Sequence, residues 1–299
     1  MKFIFTLLAA LAMQVGVMAH TPMPLAEFPE ITSGKAAAGK FVRETESEYK
    51  GTEVHHCIYL PENHDIKRKK SYPIIVELTG NKWPHGSGEV EEAHLGYSIT
   101  LGRDYIWVVM PYIAEDHRHN EVTWWGDNEA SVEYMKTVLP RIAKRYNGDM
   151  DNMVLCGFSR GSIGVSYVGL HDEDIAKMWR GFITHDHFDG AREWNKKPWG
   201  SPLEKFRAEA TVRLRRAAGK PWFLSAASSL PELQSLVKEI GVDTMIDFTY
   251  STISMKSYFT IPNDYFKHSH NDCWPLFDTP EGNNLREWLY GVTGTAPER

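Results

Sequence analysis

The chain is 299 residues long, carries a formal net charge of −6, and is 42% hydrophobic and 24% charged. This is the composition of an ordinary globular protein, and no low-complexity tract or internal repeat interrupts it. The acidic balance argues against nucleic acid as a main partner, and three cysteines are too few for a disulfide-built scaffold.

The first segment reads as a targeting signal. Met1-Lys2 leads into an apolar run over residues 3–17, and Val17-Met18-Ala19 then places small residues at the two positions a signal peptidase reads. That pattern is a secretory signal peptide, too short to serve as a membrane anchor. It predicts a secreted or periplasmic protein cut after Ala19, with residues 20–299 forming one α/β domain. No later apolar run approaches membrane-spanning length.

Residues 41–49 and 52–60 read as two strands about Lys50-Gly51, an antiparallel hairpin at a sheet edge. Lys67-Arg68-Lys69-Lys70 reads as a solvated loop. Residues 73–78 are an almost unbroken apolar run, as expected of a strand covered on both faces, and residues 105–111 follow the same rule. Val132, Met135, Val138, Leu139, Ile142 and Tyr146 recur at helical spacing, with a kink expected at Pro140. The chain then predicts a strand at 153–158, a helix at 162–170, a strand at 181–184 and a basic helix at 201–218. Next come a strand at 221–226, a helix at 231–240, a strand at 245–251, an extended piece at 257–262 and a closing helix at 280–290. This alternation calls for a mostly parallel central sheet flanked by helices, with the hairpin as its N-terminal antiparallel edge.

The chemically informative stretch is Gly157-Phe158-Ser159-Arg160-Gly161. It follows an apolar strand and precedes a helix, which is the context of a nucleophile elbow. A serine at the tip of so sharp a turn needs neighbours nearly free of side chain, and the first N–H groups of the helix point at the reacting centre. Ser159 is therefore the candidate nucleophile. A serine nucleophile needs a base and a group to orient that base. The late stretch His268-Ser269-His270-Asn271-Asp272-Cys273-Trp274 follows the last predicted central strand.

The elbow within residues 151–161, the signal peptide and the late His-Asn-Asp-x-Trp stretch together resemble the α/β-hydrolase superfamily. Within it they resemble the secreted polyhydroxybutyrate-depolymerase and feruloyl-esterase-like serine esterases. The resemblance covers about residues 50–290 in order of elements. It implies the α/β-hydrolase fold, carboxylic-ester hydrolysis through an acyl-enzyme without a cofactor, and His270 as the general base. The family's usual acid position, after the strand at 221–226, holds Ser228-Ser229-Leu230-Pro231-Glu232 and no aspartate. The expected acid is then Asp189, with Asp186 and Glu232 as the alternatives. Two N–H groups should receive the oxyanion, that of Arg160 and that of Asn81 in the loop after residues 73–78, with Lys82 behind Asn81. The Arg160 guanidinium is expected to pair with a carboxylate.

Two readings compete. His185-x-His187-x-Asp189 and His268-x-His270-x-Asp272 share an H-x-H-x-D spacing that presents imidazoles and a carboxylate to a metal. The missing aspartate leaves room for a non-catalytic sugar-binding protein on a hydrolase fold. For the substrate, Trp83, Trp124, Trp125 and Trp274 fall in loops at the face where open α/β sheets bind ligands. They are candidate contacts for a carbohydrate- or phenol-linked ester, a small molecule or part of a polysaccharide. Residues 190–219 are long enough to form a partial lid. Cys57 and Cys273 could pair, whereas Cys156 reads as core.

Overall fold

The computed structural model describes residues 23–260, 266 and 268–295. The signal-peptide segment therefore lies outside the described residues. A nine-stranded sheet in the order β1-β2-β3-β5-β4-β6-β7-β8-β9 organises the chain. Its first edge is β1 (Ile31–Thr32), β2 (Phe41–Glu44) and β3 (His56–Tyr59). The β2–β3 pair is antiparallel with Phe41 opposite Tyr59, and β3 runs antiparallel to β5. The expected hairpin is thus present with shorter strands, because residues 47–49 form a 3-10 turn.

The central strands β4 (Tyr72–Leu78), β5 (Ile106–Met110), β6 (Gly148–Phe158), β7 (Trp179–His185), β8 (Pro221–Ala226) and β9 (Asp247–Thr252) are all parallel. Every residue of β4 and β5 is buried, as expected of apolar runs broken only by Glu77. Their carboxyl ends share one rim of the sheet, and the loops leaving that rim carry the candidate residues.

Among the described residues seven helices flank the sheet: α1 (Leu95–Thr100), α2 (Asn128–Tyr146), α3 (Arg160–Tyr167), α4 (Glu173–Lys177), α5 (Leu203–Leu214), α6 (Leu230–Glu239) and α7 (Pro280–Thr293). The long α2 runs through Pro140. The Asp127 side chain accepts from the N–H of Ala130 at 2.9 Å to start it, a cap worth about 1 kcal/mol. Asn147 in the left-handed conformation, φ 56°, ends it.

Two expectations change. The piece at 257–262 is not extended where described: residues Met255–Thr260 form a 3-10 helix. The sequence periodicity also missed α1 and α4, which are too short to show a repeat. Cys57, Cys156 and Cys273 are buried and unbridged. Among the described residues no helix is long and apolar enough to cross a membrane.

Candidate active site

Strand β6 ends at the elbow. Ser159 has φ 56° and ψ −118°, a strained region that costs of order 1–3 kcal/mol for a residue with a side chain. The two flanking glycines are obligatory on steric grounds. A Cβ on Gly157 would lie 2.2 Å from the Gly161 carbonyl oxygen, and one on Gly161 would lie 1.9 Å from that of Leu78. The turn is tied to the neighbouring strand. Ser159 N–H donates to the His185 carbonyl at 3.2 Å, and His185 N–H donates to Ser162 Oγ at 3.0 Å.

Strand β7 continues into Asp186, whose φ is 74°. Asp186 Oδ2 lies 2.8 Å from Nδ1 of His270, and its Oδ1 accepts from the N–H of Ala227 at 3.3 Å. Burial opposes ionisation of Asp186, but His185 and the hydrogen-bonded His270 beside it hold the carboxyl well below the usual carboxylate range. With Nδ1 engaged, Nε2 is the nitrogen of His270 left for proton transfer. The ring packs on Phe158, the residue before the nucleophile, with centroids 4.4 Å apart. Among the described residues no hydrogen bond yet joins Ser159 Oγ to His270; such bonds are often long in ligand-free sites and tighten with substrate.

The carboxylate paired with His270 is therefore that of Asp186, the alternative, and not that of Asp189. Asp189 is buried in a two-pronged ion pair with Arg213, at 2.8 Å to Nε and 3.1 Å to Nη2. Ser166 Oγ donates to the same carboxylate at 2.7 Å. It fastens α5 to α3. Glu232 is an exposed residue of the first turn of α6. The absence of an aspartate after β8 is thus answered one strand earlier, which removes the main support for a retired hydrolase.

The loop after β4 lies over the nucleophile: a Cβ on Gly80 would sit 3.7 Å from Cβ of Ser159. Lys82 N–H, the runner-up to Asn81, is taken by the Val122 carbonyl at 2.8 Å. The Asn81 side chain is held in turn, its Oδ1 accepting from Trp124 N–H at 2.7 Å. Arg160 N–H opens α3 and has no helical partner by position.

The Arg160 guanidinium departs from expectation. It is 1% exposed and meets no carboxylate. It donates to the carbonyls of Thr79, Gly88, Glu121 and Trp124 and to Thr79 Oγ1, over distances of 2.9 to 3.4 Å, and stacks over Tyr112 at 4.1 Å. Burial pushes it down to about 10, still charged at neutral pH. Arg160 therefore clamps together the loops after β4 and β5. No feature of the sequence signalled this, because its partners are carbonyls.

The aromatic candidates divide. Trp83 stands edge-on to His268 at 4.7 Å and His270 at 5.7 Å, so it faces the site. Trp125 is buried against Tyr167 with centroids 4.4 Å apart, and Trp124 packs on Trp194 and Trp199 at 4.9 and 4.7 Å. These form a hydrophobic cluster of their own, with the 190–219 segment as its cover. Trp274 is fully buried and is corrected to core.

The first H-x-H-x-D motif does not converge. His185 Nδ1 is 3.0 Å from Ser225 Oγ. His187 Nδ1 is 2.8 Å from the Asp186 carbonyl, and Asp189 belongs to Arg213. Burial, with Arg192 and His270 nearby, pushes His187 down to about 3, so it is neutral. In the second motif His270 is committed to Asp186 and Asp272 bonds to His94. A metal hydrolase built on the two motifs is not what the geometry offers.

Two cavities meet at His270. One of about 1010 Å³ is lined by Asp186, His187, Arg192, Ser228, Glu232 and Lys256 among others. The other, of about 280 Å³, is lined by Gly80, Asn81, Trp83, His85, Phe158, His268 and residues 270–273 among others.

Residues 47–177 match the family model Esterase, described as "Putative esterase". The match includes the elbow and stops before Asp186 and His270. A search of the curated proteins finds no match. Among solved structures the chain is similar to an S-formylglutathione hydrolase of Agrobacterium tumefaciens, at 13% identity and TM-score 0.52, over 85% of this chain and 94% of that one. It is similar to a sugar hydrolase of Lactococcus lactis at 14% identity and TM-score 0.54, over 84% and 96%. It also resembles a thermostable esterase at 13% identity and TM-score 0.50, covering 83% of this chain but only 61% of that one. At such identities the structural likenesses carry the fold alone. These likenesses give the chain the α/β-hydrolase fold, and the family model matches the part of it that carries the elbow.

Proposed function

We propose that the chain is a serine carboxylic-ester hydrolase working through Ser159, His270 and Asp186. His270 takes the Ser159 proton as the hydroxyl attacks the acyl carbon, and later passes it to the leaving alcohol. Asp186 holds the imidazole in the required tautomer and stabilises its charged form. The N–H groups of Arg160 and Asn81 receive the oxyanion, and water then resolves the acyl-enzyme. The observation that carries this reading is the 2.8 Å contact between His270 Nδ1 and Asp186, at the end of the strand bonded to the elbow.

The substrate class we infer is a phenol- or carbohydrate-linked ester. Its support is the large cavity with Ser228, Ser229 and charged side chains on its wall, together with Trp83 beside His268 and His270. Phe188, Leu233, Leu236, Ile253 and Met255 on the same wall supply apolar surface for an aromatic ring. The signal-peptide pattern supports processing after Ala19 and action by residues 20–299 outside the cytoplasm.

Turnover of methyl ferulate and p-nitrophenyl acetate against p-nitrophenyl palmitate tests the substrate class. The short and aromatic esters should be preferred by about tenfold or more in kcat/KM, a difference of about 1.4 kcal/mol. A preference for the palmitate would refute the assignment.

A further inference from the structure

We propose that His94, Asp272 and Cys273 form a binding site for zinc or a similar soft divalent cation, on the wall of the smaller cavity. The three donor atoms lie within 4.8 Å of one another. His94 Nδ1 is 3.3 Å from Asp272 Oδ1, and Cys273 Sγ is 3.8 Å from that same oxygen. Tetrahedral zinc, with nitrogen and oxygen at about 2.0–2.1 Å and sulfur at about 2.3 Å, separates its ligands by roughly 3.3–3.6 Å. Two edges of such a tetrahedron are already close to their bound lengths, so an ion enters with little backbone movement.

The surroundings hold these donors in place. Asp272 Oδ2 accepts from the His94 backbone N–H at 3.1 Å. Directly after His94, α1 is anchored by the buried Glu77 carboxylate, which accepts from Leu95 and Gly96 N–H at 3.0 and 2.7 Å and from Trp107 Nε1 at 2.9 Å. Orientation by bonded neighbours of this kind sharpens metal affinity. Glu77 and Asp272 are also buried close enough to repel each other, which a cation at Asp272 would offset. All three donors border the cavity, so a water completes the fourth position. Imidazole with thiolate selects zinc over magnesium or calcium.

Binding requires the Cys273 thiol to give its proton to solvent, so uptake releases a proton and weakens as pH falls. The bound ion would pin the loop carrying His270 to α1. The site does not depend on the ester chemistry, and its test reads no activity.

Full-length protein stripped with chelator is titrated with cobalt(II). A thiolate-to-cobalt charge-transfer band should saturate at one equivalent and be displaced by zinc. Cys273→Ser should abolish the band, while Cys156→Ser, a change in the core of β6, should keep it. His94→Gln should weaken zinc binding by more than about 100-fold, beyond the 10–100-fold typical of outer-shell changes. The absence of a band in the wild-type protein, or its survival in folded Cys273→Ser, overturns the proposal. Should Cys273→Ser fail to fold, unchanged zinc affinity in His94→Gln overturns it equally.

Discussion

Replacing Ser159 with alanine is expected to lower kcat by about 10⁴–10⁶-fold, the scale seen when a serine hydrolase loses its nucleophile. The fold should survive. The Ser159 hydroxyl makes no hydrogen bond among the described residues, and its backbone anchors, from its own N–H to the His185 carbonyl and from Ser162 N–H to the Ser159 carbonyl, are untouched by loss of the oxygen. Alanine at φ 56° keeps the strain that serine already bears. The residual rate belongs to the oxyanion donors and to substrate positioning, which typically leave a residual 10³–10⁴-fold over water. Steady-state rates with an aryl ester, beside a thermal melt of both proteins, measure the two halves of this expectation. A melt unchanged within a few degrees with a rate lowered less than about 100-fold would mean that another group attacks.

Asp186→Asn and Asp189→Asn should separate cleanly. Asparagine at 186 no longer stabilises charged His270 and allows the wrong tautomer, an exchange that lowers kcat by about 10⁴-fold in a serine triad with little structural change. At 189 the same substitution leaves His270 alone and strands the half of an ion pair formed by Arg213, whose partner carboxylate is fully buried. Breaking a buried pair costs about 3–5 kcal/mol, so Asp189→Asn should melt many degrees lower while its kcat at low temperature stays within several-fold of wild type. Paired kcat and melting measurements decide the matter. If Asp189→Asn loses turnover without losing stability, the acid has been misplaced.

The confusion between these two aspartates marks the boundary of what the sequence contains. Both follow β7, three residues apart, and both are acids in a loop at the correct rim. Only the left-handed turn at Asp186 decides which one swings towards His270. That turn depends on contacts with β8 made by residues 40 positions away, such as the bond from Asp186 N–H to the Ser225 carbonyl at 2.9 Å. Ser159 was legible because its demands are local: a strand, two glycines and a helix start. The β4 to β9 order was legible for the same reason, since buried parallel strands write themselves as apolar runs. Arg160 was not, because a guanidinium held by carbonyls leaves no complementary residue type in the chain. Nor were the roles of Trp125 and Trp274, since a tryptophan in a rim loop has the same sequence signature whether it meets solvent or its neighbours.

Arg160 also explains how the elbow and the oxyanion loop stay in register. One buried cation gathers carbonyls from the loops after β4 and β5 beneath the nucleophile, so the positions of Gly80 and Asn81 are set by the residue that follows Ser159. In the proposed mechanism the nucleophile, one oxyanion donor and the loop clamp are thereby carried on two consecutive residues.

The most direct measurement is covalent labelling of the full chain with a fluorophosphonate, followed by mass-spectrometric mapping of the modified peptide. One equivalent should be incorporated at Ser159, and Ser159→Ala should take up none. Labelling at another serine, or ester hydrolysis that persists in protein fully labelled at Ser159, would contradict the assignment.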